Sequence, residues 1–492
     1  MSVSQVTLAR RTMGAGSLIA VAMIASSPQT VLNGGIPTTY ARTGVLGVPL
    51  SFLIVTVVLA WLSVGSLAVS RHVQHGAPFY AQLALGFGPS WGLVGAGIAQ
   101  VGYNSLGISL FPLFGTSVAS LVGVTADTWW IWALPAWAIV LFLGQYPGAA
   151  NAKLLGVLLA CEVAIVLAFD IAAFVNPAEG TTISLDGFAP SSLLVAGGGA
   201  GVMVFAGAAN AGAEGLPAHG EEARTWRDVV VASLVGYVLL GILYALSGWA
   251  YRTVVGAAGL ATAEQDPAKA PMAILAAVWG PGFGLFGNFL VLTSVTAAML
   301  AFHGYSARYT FALGRERVIP KVFATVTPGR NGGAPKAGSF TQAAISAVVL
   351  AMFVIGGAAP METMFVWLST IGAVCVLVLL TMSSFAAVNF FARGEGGGEP
   401  WVVRQFLPFS GGVIGILALV FMLSTLNTLL GLPPGSGRAW LVGGLLVGAV
   451  LGTAGVVGRR MKRRRPADYD QLGRGTPDPV MVRDARHRGL QL

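Results

Sequence analysis

An all-α integral membrane fold with twelve transmembrane helices is what this sequence predicts, and three observations predict it. Hydrophobic residues make up 55% of the 492 and charged residues 10%, with a mean hydropathy of +0.76. Soluble chains carry about 25% charged residues, so a surface this poor in charge would aggregate in water and suits lipid. Apolar stretches long enough to cross a bilayer recur along the whole chain. The basic residues collect on one side of them.

Crossing the hydrocarbon core takes about 20 apolar residues. Twelve stretches meet that length: 14–40, 45–70, 91–122, 129–147, 153–175, 193–215, 229–251, 282–312, 338–357, 362–391, 409–431 and 439–458. The first, third, eighth and tenth are long enough to tilt or break. The 67 glycines are many for soluble helices, whereas membrane helices use glycine for close backbone approach.

Placing the N-terminus in the cytoplasm puts 24 of the 28 Lys+Arg on the inner side, fourteen between Arg10 and Arg404 and ten from Arg459 to Arg488. The outer segments keep only Arg42, Arg252, Lys269 and Arg438. Basic residues accumulate on the cytoplasmic side of membrane proteins, so both termini are expected in the cytoplasm of an inner-membrane protein. An even number of spans follows. The same asymmetry explains the net charge of +9, which is a topology signal and no footprint for nucleic acid. The run from Arg459 to Arg465 is a stop signal whose charge also suits anionic lipid. Cys161 and Cys375 both fall in predicted spans. Neither suggests a disulfide or a metal site, and no cofactor is expected. The first apolar stretch is too long for a signal peptide and is expected to remain in the mature chain.

No segment fits a soluble domain. The chain divides into a cytoplasmic N-terminus at 1–13, two groups of five spans at 14–175 and 193–391, and two further spans at 409–458. The basic tail, 459–492, is polar, carries Pro466, Gly473, Gly475 and Pro477, and is expected to be disordered.

The first and sixth spans are interrupted. One holds Ala25-Ser26-Ser27-Pro28 and then Asn33-Gly34-Gly35-Ile36-Pro37; the other runs Ala206-Gly207-Ala208-Ala209-Asn210-Ala211-Gly212-Ala213-Glu214. Backbone freed at membrane depth is tolerated only where it lines a cavity or is buried in protein. Small residues that merely let helices pack closely would account for either interruption singly. The two interruptions stand first in consecutive groups of five, which points to a five-plus-five inverted repeat with a binding site at the repeat interface.

At these residues the chain resembles the amino acid–polyamine–organocation permease superfamily, in particular its actinobacterial-type amino-acid permeases. The likeness rests on SSPQTVLNGGIPTTYARTGVLGVPLSFL at 26–53, SRHVQHGAPFYAQLALGFGPSWG at 70–92, Glu214 with GEEAR at 220–224, and AFHGYSARYTFALGRERVIPKVF at 301–323. It runs over residues 14–430. The resemblance implies a LeuT-like fold of ten core and two peripheral helices, with amino-acid transport by alternating access. The chain departs from that pattern at the Ser-Pro stretch of the first span. It departs again at Asn210, where an aromatic is usual four residues before the glutamate, and at Thr225-Trp226.

An amino acid brings a carboxylate and an ammonium. Freed amides at a half-helix N-terminus suit the first, and freed carbonyls at a half-helix C-terminus suit the second. Backbone at Ser26, Ser27, Gly34 and Gly35 is expected to hold one end of the substrate, and Gly207, Ala208 and Ala211 the other. Asn210 is expected to point into the cavity where an aromatic would otherwise stand, leaving room for a medium or large neutral side chain. Tyr103 and Asn104 lie in the third span, which lines the pathway in the resembling fold. Glu162 lies about nine residues beyond Lys153, near mid-membrane, where an ionised carboxylate is expensive. It faces a cavity, a partner or a proton path, or else stays protonated and bonds between helices. Glu214 caps the inner half of the sixth span or, by the resemblance, acts as a proton-linked or gating carboxylate. Asp170 is expected at the membrane interface. Thr293, Ser294 and Thr296 are expected to satisfy carbonyls of their own helix; by the resemblance, hydroxyls of this span can help coordinate sodium. His303 reads as an interhelical histidine.

The expected partners are an amino acid, a proton with sodium as the alternative ion, and the bilayer. Other readings are an exchanger, an amine or polyamine permease, a channel or an intramembrane enzyme. An enzyme would need clustered His, Asp or Glu near one membrane face, and only isolated ones occur. Reporter fusions after residue 12 and after residue 475 should both report the cytoplasm; a periplasmic signal from the tail would overturn the even span count.

Overall fold

The computed structural model describes residues 13–146, 152–194, 199–220, 222–260, 262–263, 270–327, 333–433 and 435–475. Arg10, Arg11, Glu221, Lys269, Arg330 and the end of the tail, 476–492, lie outside the described residues. No strand occurs among the described residues. The helices are α1 (Ala15–Ser26), α2 (Pro28–Thr30), α3 (Ile36–Thr43), α4 (Val48–His72), α5 (Pro78–Phe87), α6 (Pro89–Leu121), α7 (Trp129–Leu143), α8 (Ala152–Val175) and α9 (Gly199–Ala209). They continue as α10 (Trp226–Leu260), α11 (Pro271–Trp279), α12 (Pro281–Arg315), α13 (Lys336–Ile355), α14 (Val366–Ala392), α15 (Leu407–Ser424), α16 (Leu426–Leu429), α17 (Arg438–Arg464) and α18 (Pro466–Asp470).

Among the described residues, ten helical segments are long and apolar enough to cross a membrane. The 33-residue α6 has no charged residue and is packed against α12 and α14 at the centre of the bundle. The sixth apolar stretch is divided between α9 and a 3₁₀ segment, Ala213–His219.

Two joints share one construction. Gly88 (φ 107°, ψ 164°) ends α5, and Pro89 begins α6. Gly280 (φ 99°, ψ 160°) ends α11, and Pro281 begins α12. Only glycine adopts such a backbone readily, while proline is favoured at the first helical position because its missing N–H has no partner there. The fold-back is tight in the same way at both. A Cβ on Gly92 would stand 2.6 Å from the Ala84 Cβ, and one on Gly284 would stand 2.5 Å from the Ala276 Cβ. A ten-residue and a nine-residue helix thus each double back onto a helix of more than 30 residues.

The tail differs from expectation over its described part. α17 continues to Arg464, α18 follows, and Leu472 is buried. The Gly473 amide donates to Glu316 Oε2 at 2.9 Å, the Tyr80 hydroxyl donates to the same oxygen at 2.5 Å, and His75 Nε2 stands 2.8 Å from Glu316 Oε1. Tyr469 meets Ser90 at 2.7 Å. Burial alone would raise the Glu316 pKa, but its bonds to His75, Tyr80 and Gly473 hold it below the usual carboxylate range. Proline and glycine in 466–475 therefore shape a turn against α5, where composition alone suggested disorder.

α5 lies against α14 through Gly86, where a Cβ would be 2.5 Å from both the Cβ and the carbonyl oxygen of Ala386. Gly86→Val should lower stability by about 1–3 kcal/mol through overpacking, read as a fall in thermal midpoint in detergent. An unchanged midpoint would show that α5 is not held there.

Candidate functional site

The first membrane segment breaks at Ser27. This residue has φ 51° and ψ 83°, and its amide turns back to the Met23 carbonyl at 2.9 Å. Left-handed backbone is uncommon for serine. Pro28 has no N–H to continue the α1 ladder and instead starts α2. A π-helical turn, Val31–Gly35, then precedes α3. The sixth segment breaks after Ala209, where Gly212 has φ 126°. Glu214 Oε2 accepts the Gly212 amide at 2.7 Å, and the chain continues as the 3₁₀ turn rather than a regular half-helix.

The breaks face each other. A Cβ on Gly212 would stand 2.6 Å from the Ala25 Cβ, so only glycine lets them approach. Ser26 Oγ donates to the Ala211 carbonyl at 3.1 Å. The Tyr244 hydroxyl of α10 donates to the Ser26 carbonyl at 3.1 Å, and the Tyr305 hydroxyl of α12 donates to the Gly212 carbonyl at 3.0 Å. Backbone acceptors freed at the breaks thus find side-chain donors, as they must where water is scarce.

Between them lies a cavity of 60 Å³. Ser26, Ser27 and Gly35 line it from one broken segment, Ala208 and Ala211 from the other. Its apolar wall is Phe205, Phe302 and Phe365 with Leu106 and Leu110, and Thr30, Ser109 and Ser369 add hydroxyls. Gly34 instead faces Leu113 of α6, and Gly207 lies on the opposite face of α9. Asn210 corrects its expectation. It is fully buried, its Nδ2 donates to the Ala206 carbonyl at 2.9 Å, and its Oδ1 accepts from Thr56 of α4 at 3.4 Å. A side-chain amide can satisfy its own helix and a neighbour at once, so it turns away from the cavity. The aromatic bulk comes from Phe205 earlier in the same segment and from Phe302 and Phe365 on two distant elements, a grouping that no local pattern marks.

Tyr103 does not line the cavity. It packs against Tyr305 with ring centroids 5.2 Å apart, and its buried hydroxyl has no hydrogen-bond partner among the described residues. Asn104 donates to the Gln100 carbonyl of its own helix at 2.7 Å. Thr293 and Thr296 bond carbonyls of their own helix at 3.0 and 2.7 Å. His303 meets Ser339 of α13 at 2.7 Å, an interhelical contact.

Glu162 of α8 is connected to the first break. Ser294 of α12 donates to Glu162 Oε2 at 2.6 Å, Ser27 Oγ lies 2.8 Å from Ser294 Oγ, and Thr30 Oγ1 lies 2.5 Å from Ser27 Oγ. Three hydroxyls therefore link a carboxylate that is 3% exposed to two residues of the cavity wall. Asp170, expected at the interface, is instead buried and accepts from Ser247 of α10 at 3.1 Å. α8 runs on to Val175 and α10 packs over it, so its place near the helix end did not expose it. Glu214 is buried, and its Oε1 has no hydrogen-bond partner among the described residues.

After the 3₁₀ turn, Glu222 stands 2.6 Å from Arg308 and 3.2 Å from His219. Burial would raise its pKa, but Arg308 and His219 together hold it well below the usual carboxylate range. A depressed folded-state pKa contributes stability above the unfolded value, and that contribution is lost as pH falls toward the folded value. The pair therefore stays closed through neutral and mildly acidic pH. Sequence reasoning quoted Glu222 inside a motif without giving it a partner, because Arg308 is 86 residues away along the chain.

A family profile described as amino acid permease matches residues 15–451. A curated relative, the L-lysine transport protein of Corynebacterium glutamicum, is 25% identical over 354 residues, 68% of this chain. The match spans 66% of that relative's length.

Arg308→Met leaves Glu222 buried without its cation and should cost about 3–5 kcal/mol, lowering the thermal midpoint. Adding Glu222→Leu should restore most of it. A double variant as unstable as the single one would show that the ion pair is not the cause.

Proposed function

The chain belongs to the amino acid permease family, and from that premise we propose that it carries an amino acid across the cytoplasmic membrane by alternating access, coupled to protons. The observation that carries the coupling is the hydroxyl chain from Glu162 through Ser294 to Ser27. An ionised carboxylate only accepts hydrogen bonds, and a protonated one also donates. Loading a proton on Glu162 lets it donate to Ser294, which reorients the hydroxyls as far as Ser27, where α1 breaks. The proton state of α8 then biases the conformation of the broken segment, the differential contact that a two-state transporter needs.

The architecture of this proposal has twelve spans, the ten apolar segments together with α6 and the divided sixth stretch. Its two repeats comprise the first five and the next five. The pairing of breaks at Ser27 and Gly212 supports that division, and so does the matched glycine–proline entry into α6 and α12. Each is the kind of recurring feature that an inverted repeat would carry at matching positions of its halves. With both termini cytoplasmic, the Glu222–Arg308 pair lies on the inner side.

Substrate recognition in this reading is mostly main chain at the two breaks. Three phenyl rings and two leucines, with no charged side chain in the cavity wall, favour a neutral amino acid of compact side chain. A second reading, a basic amino acid, has two supports. The relative is named for lysine, and Glu214 Oε1 and the Tyr103 hydroxyl are both buried without hydrogen-bond partners among the described residues. Uptake of labelled alanine, leucine and lysine into proteoliposomes decides between them. Lysine uptake exceeding that of both others would overturn the neutral reading.

Glu162→Gln retains size and hydrogen bonding but carries no titratable proton. It should still bind substrate and exchange it between loaded states, while uptake driven by a proton gradient falls near the level of empty vesicles. Glu214→Gln, measured beside it, should retain gradient-driven uptake. The reverse pattern moves the coupling role to Glu214. If both variants accumulate substrate normally, or a sodium gradient alone drives uptake, proton coupling through these carboxylates is wrong.

A further inference from the structure

A second and larger cavity, 390 Å³, lies on the far side of α9 from the first. α4, α9, α14 and α15 form its walls, with Val55, Leu59, Gly207, Val376, Leu417 and Phe421 among the lining residues. No lining residue carries a hydroxyl, an amide or a charge. An amino acid would leave both its ionic ends unpaired there. Water would lack the two to four polar partners that hold it in a cavity. Yet a void of this size does not fit a close-packed interior, where gaps larger than a water molecule are few.

Its rim opens on the lipid-facing surface. Leu417 is 64% exposed, Phe421 46% and Ile54 38%, all apolar. Ile54 and Leu59 sit six and eleven residues into α4, roughly 9 and 17 Å from its start at 1.5 Å per residue. That depth lies inside a hydrocarbon core about 30 Å thick, out of reach of headgroups and within reach of their tails. The bilayer is therefore the one reservoir that can fill the space.

We propose that an acyl chain of a membrane phospholipid inserts between α4, α14 and α15 and lies against the bare backbone of α9 at Gly207. A Cβ at Gly207 would meet no atom within 4 Å, so this position opens onto the cavity. Gly207 stands two residues before the end of α9, while its neighbours Ala208 and Ala209 line the first cavity. The half-helix thus separates a lipid tail from the candidate substrate site. The tail supports its outer face next to the break, and α15, whose Leu417 and Phe421 form part of the rim, flanks the opening to the bilayer.

The experiment reads lipid binding and not uptake, so its failure is distinct from failure of the transport reading. The full-length protein is reconstituted with phosphatidylglycerol carrying a diazirine at mid-chain and irradiated, and labelled peptides are mapped. Labelling should concentrate on Met203–Gly207 and on 414–422. The protein purified in mild detergent should retain one phospholipid by native mass spectrometry. Ala418→Trp and Val376→Trp fill the cavity and should lose both the Met203 label and the retained lipid. Label spread evenly over the lipid-facing helices, including α13 and α17, overturns the proposal, as does a folded tryptophan variant that keeps the lipid. Where a tryptophan variant does not fold, the label map of the unsubstituted protein alone decides.

Discussion

Hydrocarbon supplies no hydrogen-bond partners, so every backbone group within the bilayer must be satisfied by protein. This constraint organises the centre of the molecule. Breaking α1 at Ser27 and the sixth segment at Gly212 frees carbonyls and amides at depth, and the surrounding helices answer them one by one. Tyr244 reaches Ser26, Tyr305 reaches Gly212, Ser26 reaches Ala211 and Glu214 turns back on Gly212. The tyrosines come from α10 and α12, so the two breaks are held by helices outside either broken segment. Gly215 belongs to the same arrangement, since a Cβ there would lie 2.5 Å from the Tyr305 ring.

A similar logic governs the buried carboxylates. Each costs free energy to desolvate, and each meets it differently. Glu222 is paired with a guanidinium, Glu316 is bonded by a histidine, a tyrosine and a backbone amide, and Glu162 and Asp170 each have a hydroxyl. The first two have strong partners that favour the ionised form and act as fixed structural ties. Glu162 has one neutral donor for one oxygen. A group held so lightly can change protonation without dismantling its surroundings; Asp170 is held in the same way, and what distinguishes Glu162 as a candidate for coupling is its hydroxyl chain to the break at Ser27.

Glycine works in two opposed ways. At Gly212 and Gly86 its missing side chain removes an obstacle, and backbones approach to contact. At Gly207 it leaves a space that no atom of the described residues fills. Composition counts both alike, and only the neighbours across the bundle distinguish them.

Composition, hydropathy and the basic residues were sufficient to determine the membrane-spanning α-helical class, because lipid imposes a one-dimensional rule on length and polarity. The two interruptions were also legible, since Ser27 with Pro28 and Asn210 with Gly212 are poor helix formers wherever they fall. Contacts between distant segments were not. Ser294 meets Glu162 across 132 residues and Glu222 meets Arg308 across 86, and no local periodicity encodes either pairing. Asn210 and Asp170 were misplaced for the same reason: a polar side chain on a helix turns toward whichever neighbour completes its hydrogen bonds, and tertiary packing alone decides which neighbour that is.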